Sequence, residues 1–197
     1  NAASKVQSPR ELIELSKTNT KGLSYGSSGV GAGPHLATEL FIRATGANFI
    51  HVPYKGSAPA MQAVLAGEVD TAILDLSAMT QVTAGKLRAL AVTSPQRSPV
   101  ASDIPSLAQS GLADYDMSNW AGIVGPRGMP PATADRVSAA ITAAVNAENV
   151  SAAFRSQGMI PCGDDASAFA HFMRSERERW RPVLDAICAG SDEHRTQ

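Results

Sequence analysis

Helix-like and strand-like segments alternate along the first half of the chain, and a glycine closes most of the helical ones. Ser8-Pro9-Arg10-Glu11 has the order of a helix start: Ser8 as N-cap, Pro9 at the first helical position and Glu11 completing a capping box. Leu12, Ile13 and Leu15 give that helix an apolar face, and Gly22 ends the element. Residues 23–27 are a strand candidate. Residues 34–45 are a helix with Leu36, Ala37, Leu40, Phe41 and Ala44 on one face, stopped by Gly46. The cycle then repeats: strand 48–53, helix 58–66 capped by Ser57 and closed by Gly67, strand 69–74, short helix 77–84 ended by Gly85, strand 87–93. The last two strand candidates are nearly continuous apolar runs, which suits burial on both faces. Strand alternating with helix in this way implies βα units and a mainly parallel sheet, and so an α/β fold.

The second half follows another rule. Pro95, Pro99 and Pro105 break up a loop-rich stretch with one short helix at 105–109, and residues 114–125 read as an extended segment centred on Trp120. Helices are expected at 133–147, 150–157 and 165–187, with one short strand at 159–162. Three amphipathic helices with so little sheet look like part of a larger unit, so the expected division is a complete α/β lobe at 8–118 and an incomplete, mostly helical one at 119–190. Val137, Ile141, Val145, Phe154, Phe169, Phe172 and Trp180 would then form a bare apolar face. Either a homodimer through 121–190 or mobility of that region is the expected consequence, because monomers rarely expose large apolar patches.

Composition removes several classes of function. Among 197 residues the formal net charge is −1, so there is no electrostatic footprint for nucleic acid. Cys162 and Cys188 make neither a disulfide framework nor a metal-ligand pair, and His35, His51, His171 and His194 form no HxxxH or HExxH spacing. No cofactor is called for, no run has the length and apolarity of a membrane span, and no signal peptide stands in this chain. Asn1, Ala2 and Ala3 fit the remnant of a cleaved tag.

The stretch YGSSGVGAGPHLATEL, residues 25–40, holds the chemistry. It lacks the G-x-G-x-x-G of a dinucleotide site, since its glycines fall at 29, 31 and 33, and the residue twenty beyond Gly31 is His51 rather than an acid. It lacks the lysine of a Walker loop. It lacks the G-x-S-x-G of a nucleophile elbow, because Ser28 is followed two residues later by Val30 and Ser27 is preceded two residues earlier by Tyr25. Two readings remain: a tight βα turn, or a cradle of backbone N–H groups at a helix N-terminus that takes an anion such as a carboxylate. Two further loops leave the same carboxyl edge of the sheet, where ligands of open α/β sheets sit. One carries Lys55 and Ser57; the other carries Asp75, which can accept from an alcohol or ammonium or simply cap the helix at Ser77. A serine hydrolase using Ser27 or Ser28 with His35 is the alternative expectation, weakened by the missing elbow and by the lack of an assigned carboxylate.

SSGVGAGPHLATELF, HVPYKGSAPAMQAVLAGEVD, AGKLRALAVTSPQRSP and the segment from Trp120 to Gly122 together resemble the tripartite tricarboxylate transporter substrate-binding family, the Bug-type extracytoplasmic solute receptors. The resemblance runs from Ser8 to Ala186. It implies a type II periplasmic-binding-protein-like fold with two lobes closing on a small mono- or dicarboxylate, no catalysis, and delivery to the membrane components of a transporter. It implies a periplasmic location. It also implies that the N-terminal part of the first lobe, with one of two carboxylate-gripping loops, is missing here. Carried onto this sequence, the ligand-binding set is Ser27, Ser28, Gly29, Val30, Gly31, Ala32, His35, Lys55 and Asp75. Ala32 and Gly33 stand where many members carry small hydroxyl residues.

Overall fold

The computed structural model describes the backbone of residues 1–193 and the side chains of residues 1–185. Contacts divide the chain into two units, Asn1–Asn119 and a second from Trp120 onward.

In the first unit the order is α1 (Pro9–Thr18), β1 (Leu23–Ser27), α2 (Gly33–Thr45), β2 (Phe49–Pro53), α3 (Ser57–Ala66), β3 (Thr71–Ala72) and α4 (Met79–Thr83). The α1 start forms as its sequence predicts: the Ser8 hydroxyl accepts from the Glu11 amide at 3.2 Å, and the Glu11 carboxylate accepts from the Gln7 amide at 2.9 Å. The sheet is parallel throughout in the order β2-β1-β3, with Tyr25 beside His51 and Ser27 beside Pro53. As the central strand, β1 is buried along nearly its whole length. Gly26 brings its backbone against Val69, Tyr54 and Ala60, so α3 packs closely on the sheet. Ala63, Val64, Val69 and Leu87 form the core on that side. On the other side Tyr25, Phe41 and Tyr115 pack with α2, and the buried Tyr115 hydroxyl donates to the Ala37 carbonyl at 2.7 Å.

Several expected elements take a different form. The run 69–74 gives only the two-residue β3, and 87–93 makes no ladder, just a single parallel bridge between Val92 and Ser106. Apolar runs demand burial, which these residues largely obtain, but burial does not require a strand partner. The helix expected at 105–109 is displaced to a 3-10 turn at Ala108–Ser110, because the Pro105 carbonyl accepts from the Val92 amide at 2.8 Å instead of from a helical amide. Ser57 is the first residue of α3 and not its cap; Gly56, at a φ of 112° that only glycine adopts easily, takes that place. Asp75 does cap, accepting from the Ser77 amide at 3.0 Å ahead of a 3-10 turn at Leu76–Ala78. The first three residues are tied into the fold: the Asn1 side chain donates to the Leu65 carbonyl at 2.9 Å, and the Ala2 amide to the Lys86 carbonyl at 3.1 Å.

The second unit consists of α5 (Pro131–Asn146), α6 (Glu148–Ser156) and α7 (Ala166–Glu193). Trp120 sits edge-on to Phe169 and Phe172, at ring separations of 5.8 and 5.3 Å. The backbone at Gly122 lies so close to the Phe169 ring that any Cβ there would overlap it. Residues 159–162 are irregular, not a strand. The connection into α7 is instead held by side chains of α5: Thr142 donates to the Gly163 carbonyl at 3.1 Å and Ser138 accepts from the Ala166 amide at 3.1 Å. Of the seven residues expected on a bare face, Val137 and Phe172 are exposed; the other five are half-buried. Ile123, Val124, Ile160 and Leu184 are exposed in addition. Cys162 is exposed, and Cys188 lies outside the described side chains.

Two substitutions test these contacts. Tyr115→Phe keeps the ring and removes one buried hydrogen bond, so urea unfolding should show a loss of about 1 kcal/mol; an unchanged midpoint would mean the bond to Ala37 carries no net stability. Gly122→Ala drives a methyl into Phe169, and overpacking of this kind costs about 1–3 kcal/mol. Thermal melting followed by Trp fluorescence should report the loss, and a wild-type melt would contradict the close approach.

Candidate functional site

The loop between β1 and α2 starts from a buried polar foundation. Ser27, the last residue of β1, is fully buried. Its Oγ accepts from the Gly29 amide at 3.2 Å, donates to the Gly29 carbonyl at 3.2 Å, and shares a 2.6 Å hydrogen bond with His51 Nε2. His51 is sandwiched between two rings, Tyr25 at 4.8 Å and His35 at 4.1 Å, both nearly parallel to it. His35 Nδ1 accepts from the Gly31 amide at 3.0 Å, while its Nε2 lies 3.8 Å from the Glu39 carboxylate. The Tyr25 hydroxyl donates to that same carboxylate at 2.8 Å.

Burial sets the protonation of this cluster. Desolvation, reinforced by the neighbouring His35, pushes the His51 imidazole down to about 4, so it is neutral near pH 7. Burial also lowers His35, against an opposing pull from Glu39. Burial and the hydrogen bond to Glu39 together raise the Tyr25 phenol.

Above this foundation the loop turns back. Gly29 and Gly31 have φ values of 134° and 76°, a region closed to most side chains, and the Ala32 amide donates to the Gly29 carbonyl at 3.2 Å. The amides of Gly29, Gly31 and Ala32 are thus used inside the turn. Those of Ser28, Val30 and Gly33 stand outside this network. The N-cap of α2 is Ala32, which offers no side-chain oxygen to the first turn. The α2 start therefore differs from the serine-capped start of α1 in having positions where an outside oxygen can accept.

A cleft of about 280 Å³ opens here. Ser28, Gly33 and Pro34 line it from the first loop, Ser57 from the second, and Leu74 and Asp75 from the third; Thr93, Met117 and Asn119 complete it. Asp75 is held in its charged form chiefly by the Ser77 hydroxyl, with a further hydrogen bond from Ser57. Three loops after successive strands thus converge at the carboxyl edge of the sheet, as expected for this fold class.

The predicted residues separate into layers. Ser28 and Asp75 line the cleft. Gly29, Gly31 and Ala32 form the turn, and Val30 at its tip is 74% exposed. Lys55 is exposed and outside the cleft lining, and Ser27 and His35 lie beneath the loop. Sequence reasoning missed Asn119, whose side chain abuts Gly33, and His51. His51 has a signal that could have found it: a histidine at the alternating position of a strand next to a central strand ending in serine. The imidazole on Ser27 is His51 and not the His35 of the hydrolase expectation.

The chain matches the model of the Tripartite tricarboxylate transporter family receptor over residues 1–188. It is 32% identical to a UPF0065 protein in the tcbD-tcbE intergenic region of Pseudomonas sp. strain P51, over 93% of this chain and 55% of that one, and so spans about half the length of this curated relative. Among solved structures, R. palustris Rpa4515 with adipate superposes with a TM-score of 0.84 at 31% identity, covering 94% of this chain and 62% of that one. The periplasmic binding protein BugD superposes with a TM-score of 0.78 at 26% identity, covering 95% and 64%. The hydrolase expectation is set aside: the chain belongs to the tripartite tricarboxylate transporter receptor family, whose members are solute-binding proteins and not enzymes.

Proposed function

We propose that this chain contributes one ligand-gripping lobe of a periplasmic receptor that captures a small mono- or dicarboxylate for a tripartite tricarboxylate-type transporter. The observation that carries this reading is the uncapped start of α2: Ser28 and Gly33 line a cleft at the positive end of a 13-residue helix whose N-cap, Ala32, supplies no side-chain acceptor. A carboxylate oxygen is the acceptor that an alanine N-cap leaves wanting. The adipate held by Rpa4515, at 31% identity, supports an acid of this class. In this reading Ser28, Gly29, Val30, Gly31 and Ala32 form the grip, with Ser27 and His35 supporting it from below. Asp75 and Ser57 face the far end of the ligand across the cleft, where water-bridged contacts serve as well as direct ones. Lys55 adds attraction for anions from the surface.

Adipate titrated into the 15N-labelled chain should shift the amides of Ser28, Val30 and Gly33 first; shifts confined to residues away from the loop would overturn the placement. A chain extended to the length of its relatives should bind adipate more tightly by calorimetry, because ligand is then covered from two sides, and equal affinity would show this lobe to be sufficient. The exposed Ile123, Val124, Ile160 and Leu184 of the second unit support self-association through 121–190, since covering one large apolar side chain contributes about 1.5–3 kcal/mol. Light scattering should then give a dimer mass, and a strict monomer at high concentration would refute it.

A further inference from the structure

We propose that His51 is a positioning residue for carboxylate capture: stacked on His35 and bonded to Ser27, it keeps His35 Nδ1 an unprotonated acceptor for the Gly31 amide and so holds the glycine loop in its gripping shape. The proposal rests on the reading of that loop as the anion grip. The Gly31 bond sets where the His35 proton sits. Since the Gly31 N–H donates to His35 Nδ1, the neutral His35 carries its proton on Nε2, on the side of Glu39. A second proton can enter only at Nδ1, where it meets the Gly31 N–H head-on and breaks that bond. Ser27 Oγ accepts from the Gly29 amide and lies within bonding distance of both the Gly29 carbonyl and His51 Nε2, so it accepts from His51 or donates to it according to the tautomer, and either way His51 is its side-chain partner. Removing the His51 ring would open the space between His35 and Tyr25 and take away the Ser27 partner at once.

The groups facing the pair are few. Tyr25 from β1 covers His51 on one face and His35 from α2 covers the other. Among the described residues Glu39 from α2 is the carboxylate that faces these rings, and it already accepts from Tyr25. One carboxylate cannot compensate two imidazolium ions at a ring separation of 4.1 Å. Burial disfavours charge on both rings. The loop is therefore built for neutral histidines, and acid is the condition that loosens it: the grip is held near pH 7 and given up as the pH falls well below the ordinary histidine range.

The test uses the unliganded, full 197-residue chain, so it does not depend on finding the ligand. Ring nitrogen and backbone amide resonances are followed by 15N NMR from pH 7.5 to 4. The expected result is a His35 Nδ1 shift typical of an unprotonated nitrogen at pH 7, with the Gly31 amide and the His35 ring then titrating together below the ordinary histidine range. A Gly31 amide that moves independently of His35, or a His35 proton found on Nδ1 at pH 7, would overturn the proposal. His51→Ala should speed exchange of the Gly29 and Gly31 amides by roughly tenfold or more while leaving amides of α1 unchanged, since local opening sets exchange there; equal rates would count against it. His51→Gln, which keeps a hydrogen-bond donor for Ser27, should restore the Gly29 amide better than the Gly31 amide, and equal restoration would refute the role of the stack. Adipate binding at pH 7 is read separately. Coupled titration of Gly31 and His35 without adipate binding would support the positioning role while removing the carboxylate reading.

Discussion

The pairing register of β1 with β2 is the constraint on which the first unit depends. It sets Tyr25 against His51, so the two rings stack, and it brings the end of each strand to the same edge. Ser27 lies two residues beyond Tyr25 and so on the same face of the sheet. That places its hydroxyl at His51 Nε2. A slip of one residue would turn the imidazole to the opposite face and leave a fully buried serine without its partner. Because β1 is the central strand, with β2 on one side and β3 on the other, such a slip would also misplace every loop around the cleft.

The loop above this register is shaped by backbone geometry, and its side chains play a smaller part. Two glycines in left-handed conformations let the chain reverse, and three of its amides are consumed in doing so. The contrast with α1 is physical: Ser8 supplies its own helix with a capping oxygen, whereas Ala32 supplies none. An orphan donor at a helix start costs little while water reaches it and gains a charge-assisted bond when an anion arrives. Asp75 on the facing loop gives the cleft a negative side, opposite the positive end of α2.

The second unit is held together differently. It has no sheet among the described residues; its helices and connections are joined by aromatic packing around Trp120 and by hydroxyl side chains that satisfy loop backbone. Glycine at position 122 is a requirement of close packing, not of turn geometry, since what excludes a larger residue is the Phe169 ring. Helices with amphipathic faces can bury part of them against one another, which is why five of seven apolar residues expected to stand bare are half-covered. Val137, Phe172 and Leu184 remain exposed on helices, and Ile123, Val124 and Ile160 on the irregular segments outside them.

The sequence by itself determined the helices, the central strands and the parallel βα order, because glycine stops, the Ser8 cap and hydrophobic periodicity are local signals read within a few residues. It also determined the glycine loop, the family to which the chain belongs, and the meeting of three loops at one edge, which follows from strand direction alone. Tertiary structure decided the rest. Whether 87–93 pairs as a strand depends on what lies beside it, and Ser106 offers it a single bridge. Whether Ser27 faces a ligand or the core depends on the side of the sheet that α2 covers, and there it is fully buried. The partnership of His51 with Ser27 and His35 joins residues 24 and 16 positions apart in the chain. Their distances, and so their protonation, come from sheet register and burial, which no local pattern encodes.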